Sequence, residues 1–194
     1  MGNPFEHGYY DETELRSFGI KSVGENVKIA KNCTIIGLEH ISIGNNVRID
    51  GYVTIIASGA HEFSLGSYIH IGPYTHICGS AGFVMHDFSA LSIGVRIFTR
   101  SDDFTGKFLT NPTVPSRFTN VSAGQITIGR HAIFGTSSVA LPAVKVGDGC
   151  AIGALSLVHS NLEPWGVYFG SPAKRTGSRS MEMLNLEQDL LKAA

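Results

Sequence analysis

Apolar residues recur every six positions through much of this chain, most clearly in its C-terminal half. A small or β-branched residue stands four positions after most of them. The same register fits shorter runs that start at Val23, Ile43, Leu65 and Met85, with breaks between them. The clearest run is Ile128, Phe134, Ala140, Val146, Ile152 and Val158.

A six-residue period predicts short strands joined by sharp turns, because it matches neither a 3.6-residue helix nor a long two-residue alternation. Three such hexapeptides make one triangular coil. Stacked coils, about 4.8 Å apart, place the apolar residue of each hexapeptide in an interior ladder. The pattern therefore predicts an all-β fold, a parallel β-helix. An ordinary β-sandwich of alternating strands is the alternative.

The repeats divide the chain into three parts. We expect an N-terminal helical cap over residues 1–20, the β-helix over residues 21–160, and a C-terminal tail and helix over residues 161–194. The stretch "TRSDDFTGKFLTNPTVPSRF" breaks the period, and it lies in an extended loop over residues 99–127. A loop of this length inside a compact domain is usually functional, and its prolines and phenylalanines predict ordered packing.

Short helices are predicted at both ends. Asp11 and Glu14 match a capping box, so a helix that ends near Gly19 should cover the open end of the coils. Ser180 is suited to begin a second helix. The apolar stripe of that second helix is Met183, Leu186 and Leu190.

Composition limits the kinds of partner. The chain has 194 residues and a formal net charge of -1, so no global field favours nucleic acid or an anionic membrane. Its three cysteines are widely spaced, which argues against a disulfide framework and predicts a cytoplasmic protein. No N-terminal signal sequence and no run of about 18 apolar residues is present, so we expect no integral membrane contact.

The motifs "SDDFTGKFLTNPTVPSRFTNV", "IGRHAIFGTSSVALPAVKVGDGCAIGALSLV" and "GSPAKR" identify a resemblance. The chain resembles the hexapeptide-repeat acyltransferases, left-handed parallel β-helix proteins that include galactoside and serine acetyltransferases. It is most similar to those found with surface-polysaccharide genes. The resemblance implies a homotrimer, with acetyl-CoA in the groove between adjacent β-helices and the extended loop reaching over a neighbour.

The resemblance also implies which residues bind the co-substrate. Thr136 and Ala154 fall where the family accepts the pantetheine arm of CoA, and Lys174 falls where a cation meets the nucleotide phosphates. Arg175 adds positive charge beside it. Ser160 stands where relatives have a lysine, which leaves that phosphate contact open.

Three residues are candidates for the catalytic role. In the galactoside enzymes a histidine on the loop is the general base, and Asp102 stands at the matching position of "FTRSDDF". Aspartate is a weak base at its usual pKa of about 3.9, which favours an amine acceptor or a positioning role. His70 and His76 are the rival bases, because each precedes an interior apolar residue and should point outward.

We therefore expect an acetyl-CoA-dependent acetyltransferase that acts on an amino or hydroxyl group of a sugar, either a nucleotide-linked sugar or a glycan, in the synthesis of surface polysaccharide such as lipopolysaccharide. A serine- or xenobiotic-type small-molecule acetyltransferase and a non-catalytic β-helix scaffold remain alternatives. Carbonic anhydrases of the γ class share the fold and bind zinc through three histidines. The spacing of His70 and His76 does not match theirs, so no metal is expected.

Overall fold

A short strand and a helix precede the repeats. The computed structural model describes Asn3, residues 6–59 and residues 61–193, so part of the predicted cap lies outside the described residues. Strand β1 is Tyr9–Tyr10 and helix α1 is Glu12–Ser17. Asp11 Oδ1 accepts a hydrogen bond from Glu14 N at 2.9 Å, and Glu14 Oε2 accepts one from Asp11 N at 3.1 Å. The side chain of Leu15 is 2% exposed, so α1 contributes to the end of the core.

The repeats form six complete coils of three strands. The first four coils contain β2 (Ser22–Val23), β3 (Val27–Ala30), β4 (Thr34–Ile36), β5 (Ile41–Ile43), β6 (Val47–Ile49), β7 (Thr54–Ile56), β8 (Phe63–Leu65), β9 (Ile69–Ile71), β10 (His76–Cys78), β11 (Phe83–Met85), β12 (Ala90–Leu91) and β13 (Arg96–Phe98). A hairpin of β14 (Arg100–Ser101) and β15 (Ser122–Ala123) follows. The last two coils contain β16 (Ile126–Ile128), β17 (Ile133–Phe134), β18 (Val139–Ala140), β19 (Lys145–Val146), β20 (Ala151–Ile152) and β21 (Leu157–Val158).

Each strand of a coil pairs in parallel with the matching strand of the next coil, which makes a three-sided prism. We name the sides in the order in which the chain visits them. Face I contains β2, β5, β8, β11, β16 and β19. Face II contains β3, β6, β9, β12, β17 and β20. Face III contains β4, β7, β10, β13, β18 and β21. The predicted parallel β-helix with a helix at each end is confirmed.

The interior of the prism is the predicted ladder of apolar residues. All six residues of the C-terminal run are at most 3% exposed. Face III shows why this run is the most regular: Val139 pairs with Leu157, 18 residues or three hexapeptides later. The first coils are longer, because Thr34 pairs with Thr54 and Thr54 with His76. The additional residues lie at the corner between faces III and I, and one group of them forms a 3-10 helix over Leu38–His40.

The corner between faces I and II carries a column of rings, which we name the aromatic corner: Tyr68, Phe88, His131 and Trp165. Ring centroids are 4.6 Å apart from Tyr68 to Phe88 and 5.1 Å apart from Phe88 to His131. All four residues have φ between 56° and 58°, in the left-handed region that non-glycine residues rarely adopt. Stacking of the rings stabilises these turns.

The C-terminal segment continues the prism past the predicted boundary at residue 160. Strand β22 (Gly166–Phe169) pairs in parallel with β20, so parallel pairing on face II extends into the predicted tail. Strand β23 (Lys174–Ser178) then turns back antiparallel to β22. Helix α2 is Met183–Ala193, and the side chain of Ser180, the predicted cap, accepts a 3.2 Å hydrogen bond from Glu182 N just before the helix. Its Leu186 is 70% exposed, so the predicted apolar stripe is largely uncovered in a single chain.

Candidate active site

The extended loop leaves face III after β13 and returns to face I at β16. The β14–β15 hairpin closes its base. A further backbone hydrogen bond of 2.9 Å, from Leu109 N to Phe118 O, ties its two arms together. These hydrogen bonds hold the two arms of the loop together. The phenylalanines of the loop are exposed in a single chain, so the packing expected of them stays a prediction.

A cavity of about 470 Å³ lies between this loop and face III. Cys78, at the end of β10, contributes to its floor, and Pro112 and Val121 contribute apolar surface from the loop. The two ionisable loop side chains in the lining are Arg100 and Asp102. Asp102 is half-buried, and its Oδ2 accepts a long hydrogen bond of 3.4 Å from Asn111 N. No hydrogen bond to its Oδ1 is found within the described residues, so this oxygen is available to a ligand.

The neighbouring carboxylate of Asp103 has a structural role instead. Its Oδ1 accepts hydrogen bonds from Thr105 N at 2.8 Å and Thr105 Oγ1 at 2.6 Å, and its Oδ2 accepts one from Asn120 Nδ2 at 3.3 Å. The hydrogen bond from Thr105 is the largest of the effects that lower the pKa of Asp103. Both oxygens of Asp103 hold the loop in shape, which leaves Asp102 as the carboxylate that faces the cavity.

His76 lies on β10 of face III and points outward, as predicted from its place before Ile77. Its ring centroid is 5.9 Å from that of Phe98. Burial, and then the positive charge of Arg96, lower the pKa of His76. The imidazole is therefore held in its neutral form near pH 7, the form that can accept a proton. Cys78, two residues later on the same strand, lines the loop cavity.

His70 lies on β9 of face II, on a different side of the prism. Its Nε2 is 2.7 Å from Asp50 Oδ2, and Asp50 Oδ1 lies 3.0 Å from Arg48 Nε and accepts a 3.0 Å hydrogen bond from Tyr9. Burial acts to raise the pKa of Asp50, but the hydrogen bonds from His70, Tyr9 and Arg48 outweigh it, and the net pKa is lowered. His70 and Arg48 line a separate cavity of about 430 Å³.

The structure therefore separates the two candidate histidines. His76 shares face III with the cavity that contains Asp102, whereas His70 opens onto face II. Neither histidine lines the loop cavity of the same chain. Which of the three residues acts in catalysis stays a prediction.

The candidate CoA residues form two groups. Thr136 and Ala154 lie at the corner between faces II and III in successive coils, where Leu155 N donates a 2.9 Å hydrogen bond to Thr136 O. Lys174 and Arg175 are exposed neighbours on β23. Ser160 is exposed and follows β21. Their contacts with CoA stay predictions.

The tail that carries β23 is anchored by a charged cluster. Arg179 donates to the backbone oxygens of His131 at 2.6 Å and Gly149 at 3.2 Å. Glu187 of α2 bonds to His131 Nε2 at 2.6 Å and also pairs with Arg130. The pairing of Glu187 with residues 56 and 57 positions earlier has no sequence signal, so it could not be predicted.

Comparison with known proteins identifies the family. No family model matches the chain. A dTDP-4-amino-4,6-dideoxy-D-glucose acyltransferase of Escherichia coli is 41% identical over 179 residues, which cover 92% of this chain and 93% of the relative. The chain belongs to the hexapeptide-repeat sugar acyltransferases. The predictions of this family and of an acyltransferase are thereby confirmed.

Solved structures agree with this assignment. AntD, an N-acyltransferase from Bacillus cereus crystallised with dTDP and 3-hydroxybutyryl-CoA, superposes on this acyltransferase with a TM-score of 0.91. The two chains are 37% identical, and the match covers 96% of this chain and 98% of AntD. A maltose O-acetyltransferase from Clostridium difficile, 18% identical with a TM-score of 0.59 over 87% of this chain and 74% of that one, shares the fold. The CoA-bound relatives support the predicted thioester co-substrate.

Among the described residues, no group of three or more histidine, cysteine, aspartate or glutamate side chains is placed to bind a metal ion. In the same part of the chain, no helix has both the length and the apolar character needed to span a bilayer.

We predict that Glu187→Ala in this acyltransferase loosens α2. The change leaves the 8%-exposed side chain of His131 without its carboxylate partner and leaves Arg130 paired with Asp87 alone. The expected cost is about 1 to 2 kcal/mol, because Arg130 is partly solvated and keeps that second carboxylate. Amide hydrogen exchange over residues 183–193 should accelerate about tenfold.

Asp189→Ala is the matched control for this experiment, since it removes a carboxylate of α2 that is 76% exposed. Equal protection of α2 in the parent and in Glu187→Ala would show that this cluster does not hold the helix.

Proposed function

We propose that this acyltransferase moves an acyl group from a CoA thioester, with acetyl-CoA as the expected donor, to the amine of a nucleotide-linked amino sugar. The observation that carries the proposal is the carboxylate of Asp102, which faces the loop cavity with a free oxygen. The Escherichia coli relative is named for dTDP-4-amino-4,6-dideoxyglucose, and AntD has been crystallised with that sugar nucleotide and CoA. A sugar of this kind is the acceptor that we propose.

A carboxylate suits an amine acceptor. Near neutral pH a sugar amine is largely an ammonium ion, which Asp102 attracts and orients through its free oxygen. Once neutral, the amine is a good nucleophile and attacks the thioester carbonyl carbon. The ammonium gives its first proton to solvent before this attack. After the attack the surplus proton on nitrogen passes to the leaving sulfur as the carbon–sulfur bond breaks, so the products are the amide and the free thiol of CoA. Such a reaction needs less help from a strong base than the acylation of an alcohol.

A spacing match supports the role of Asp102. The AntD structures include variants of one aspartate and of a serine ten positions before it. Ser92 stands ten positions before Asp102 here and follows the interior residue Leu91. Ser138 and Asp148 have the same spacing. Ser138 is fully buried, however, and donates to the backbone oxygens of Gly135 and Gly153.

We propose further that three copies assemble, so that the active site forms between neighbours. Phe104 of the loop is 92% exposed, and Ile36 on face III is 50% exposed. Burial of these apolar side chains against a second copy stabilises an assembly. In a trimer the cleft between two copies is bounded by different faces of each, so His70 of one copy and His76 of another become candidates for one site.

The cellular setting belongs to the same proposal. The three cysteines are free thiols, which suits the reducing cytoplasm. Nucleotide-linked sugars are the activated units of polysaccharide synthesis. We therefore assign the reaction to the synthesis of a surface polysaccharide such as lipopolysaccharide, with a nucleotide sugar as the only partner besides CoA and further copies of the chain.

We predict that the protein sediments as a trimer of 20.8 kDa chains at micromolar concentration. Phe104→Ser, which removes the most exposed ring of the loop, should shift the distribution toward smaller species. Sedimentation velocity checks both statements. A parent protein that stays monomeric across the concentration series would contradict the assembly and the shared site.

We predict that Lys174→Ala and Arg175→Ala weaken CoA binding through its phosphates. Each lost charge-assisted hydrogen bond should cost about 1.5 to 3 kcal/mol, which raises the Kd roughly 10- to 100-fold. Titration calorimetry with CoA and with dephospho-CoA shows whether the lost affinity comes from the phosphate group that dephospho-CoA lacks. Lys192→Ala, which removes a 75%-exposed cation of α2, is the control, and normal CoA binding by both β23 variants would assign this strand another role.

We predict that Asp102→Asn lowers transfer to dTDP-4-amino-4,6-dideoxyglucose while the fold and CoA affinity are kept, because the residue lies on a loop outside the core. A positioning role predicts a rise mainly in KM, and the rate should still increase with pH toward the pKa of the amine. Loss of a general base would instead lower kcat by about 10²- to 10⁴-fold. Thiol release with acetyl-CoA and 3-hydroxybutyryl-CoA, each against amino sugars, hydroxyl sugars and serine, measures these effects.

His70→Ala and His76→Ala belong in the same assays as rival bases. An Asp102→Asn enzyme with parental kinetics beside an inactive histidine variant would show that a histidine, and not Asp102, is the essential residue.

A further inference from the structure

The guanidinium of Arg100 is placed beside Asp102 in the loop cavity. Both side chains line that cavity, and they are separated by one residue. Arg100 belongs to β14, in which it pairs with Ala123 of β15, and Asp102 directly follows the last residue of this strand, Ser101. The loop thus presents a cation and an anion to the same cavity.

The remaining lining of this cavity carries no other ionisable loop side chain. It consists of apolar groups such as Pro112, Val114 and Val121, and of neutral polar groups such as Ser116 and Thr119. Within the described residues, the guanidinium of Arg100 has no hydrogen-bond or ion-pair partner. Asp102 therefore does not neutralise Arg100, and both charges are available to a ligand that has a positive and a negative end.

We infer that Arg100 binds the diphosphate of the acceptor while Asp102 holds its amine, an inference that rests on the proposed function. A 4-amino sugar linked through its anomeric carbon to a nucleoside diphosphate has its ammonium and its phosphate on opposite sides of one pyranose ring. Arg100 and Asp102 offer one complementary charge for each of these two groups in a single cavity. The planar guanidinium also matches phosphate oxygens in a bidentate way.

The consequence is selection between two kinds of acceptor. A free amino sugar engages Asp102 only, whereas a nucleotide-linked amino sugar engages both residues. CoA also carries phosphate groups, which an arginine can bind in the same way as the diphosphate of the acceptor. Their candidate ligands, Lys174 and Arg175, lie on β23 and do not line this cavity, so the two sources of phosphate can be separated by experiment.

The test compares Arg100→Ala and Arg100→Lys with the parent enzyme. Lys107→Ala is the matched control, because Lys107 is an exposed cation of the same loop that does not line the cavity. Calorimetry with dTDP alone measures the phosphate contact without any need for turnover. Kinetics with dTDP-4-amino-4,6-dideoxyglucose and with the free amino sugar measure the preference between the two acceptors. Calorimetry with CoA shows whether Arg100 binds the phosphates of CoA instead.

We expect Arg100→Ala to raise the Kd for dTDP about 10- to 100-fold, as for the loss of a charge-assisted hydrogen bond. The preference in kcat/KM for the nucleotide-linked over the free sugar should fall by a similar factor. Arg100→Lys should keep part of both, since lysine retains the charge and loses the bidentate geometry. Lys107→Ala should match the parent.

Three results would overturn the inference: an unchanged affinity for dTDP in Arg100→Ala, a loss of CoA affinity in its place, or equal losses with the nucleotide-linked and the free sugar. Failure of the proposed function looks different. In that case the parent enzyme binds dTDP and loses it on Arg100→Ala, but acylates no amino sugar.

Discussion

The hydrogen-bond ladder between successive coils is the constraint on which the rest of this structure depends. Gly44 N donates to Leu65 O at 2.9 Å, and Gly66 N donates to Met85 O at 2.8 Å, each bond joining neighbouring coils on face I. Such bonds keep the coils in register, so insertions are tolerated at the corners. Val84 on β11 pairs with Thr127 on β16. The hydrogen-bond ladder therefore continues from the coil before the extended loop to the coil after it. The loop can therefore project outward without disturbing the core that supports it.

The same constraint explains how the corners and the tail are built. A coil of three short strands must turn sharply, and at the aromatic corner non-glycine residues adopt positive φ. Stacking of Phe88 on its neighbours offsets part of that backbone strain. The tail uses this corner too: Arg179 and Glu187 both bond to His131, one to its backbone and one to its ring. Strand β23 and its two exposed cations are in this way attached to the rigid prism.

Periodic features could be predicted from the sequence, and features that depend on one distant pair could not. The interior ladder follows from the six-residue period, and the separation of His70 and His76 onto different faces follows from their places in that period. The partner of His70 is Asp50, 20 residues earlier, and no pattern marks it. The pairing of β1 with β3 also escaped prediction, because a two-residue strand has no periodicity.

The loop shows a further limit of reasoning from sequence. The sequence alone does not distinguish Asp102 from Asp103. The folded loop does, because Thr105 and Asn120 donate hydrogen bonds to the carboxylate oxygens of Asp103. Arg100 was missed for a related reason: a lone arginine in a polar stretch looks like a solvated surface charge. Its significance comes from the folded loop, in which Arg100 and Asp102 line the same cavity.

The proposed acceptor determines which properties Asp102 and His76 need. An alcohol needs a base strong enough to remove its proton during attack, whereas an amine needs mainly to be held near the thioester in the right orientation. A carboxylate on a rigid hairpin meets the second need, and the neutral imidazole of His76 lies outside the loop cavity of its own chain. With a formal net charge of -1 the chain as a whole attracts no anion. Recognition of the proposed acceptor, a phosphorylated sugar with an amine, therefore depends on local charges. The loop brings Arg100 and Asp102 to one cavity without pairing them, whereas Arg48 and Asp50 of the repeats are paired with each other.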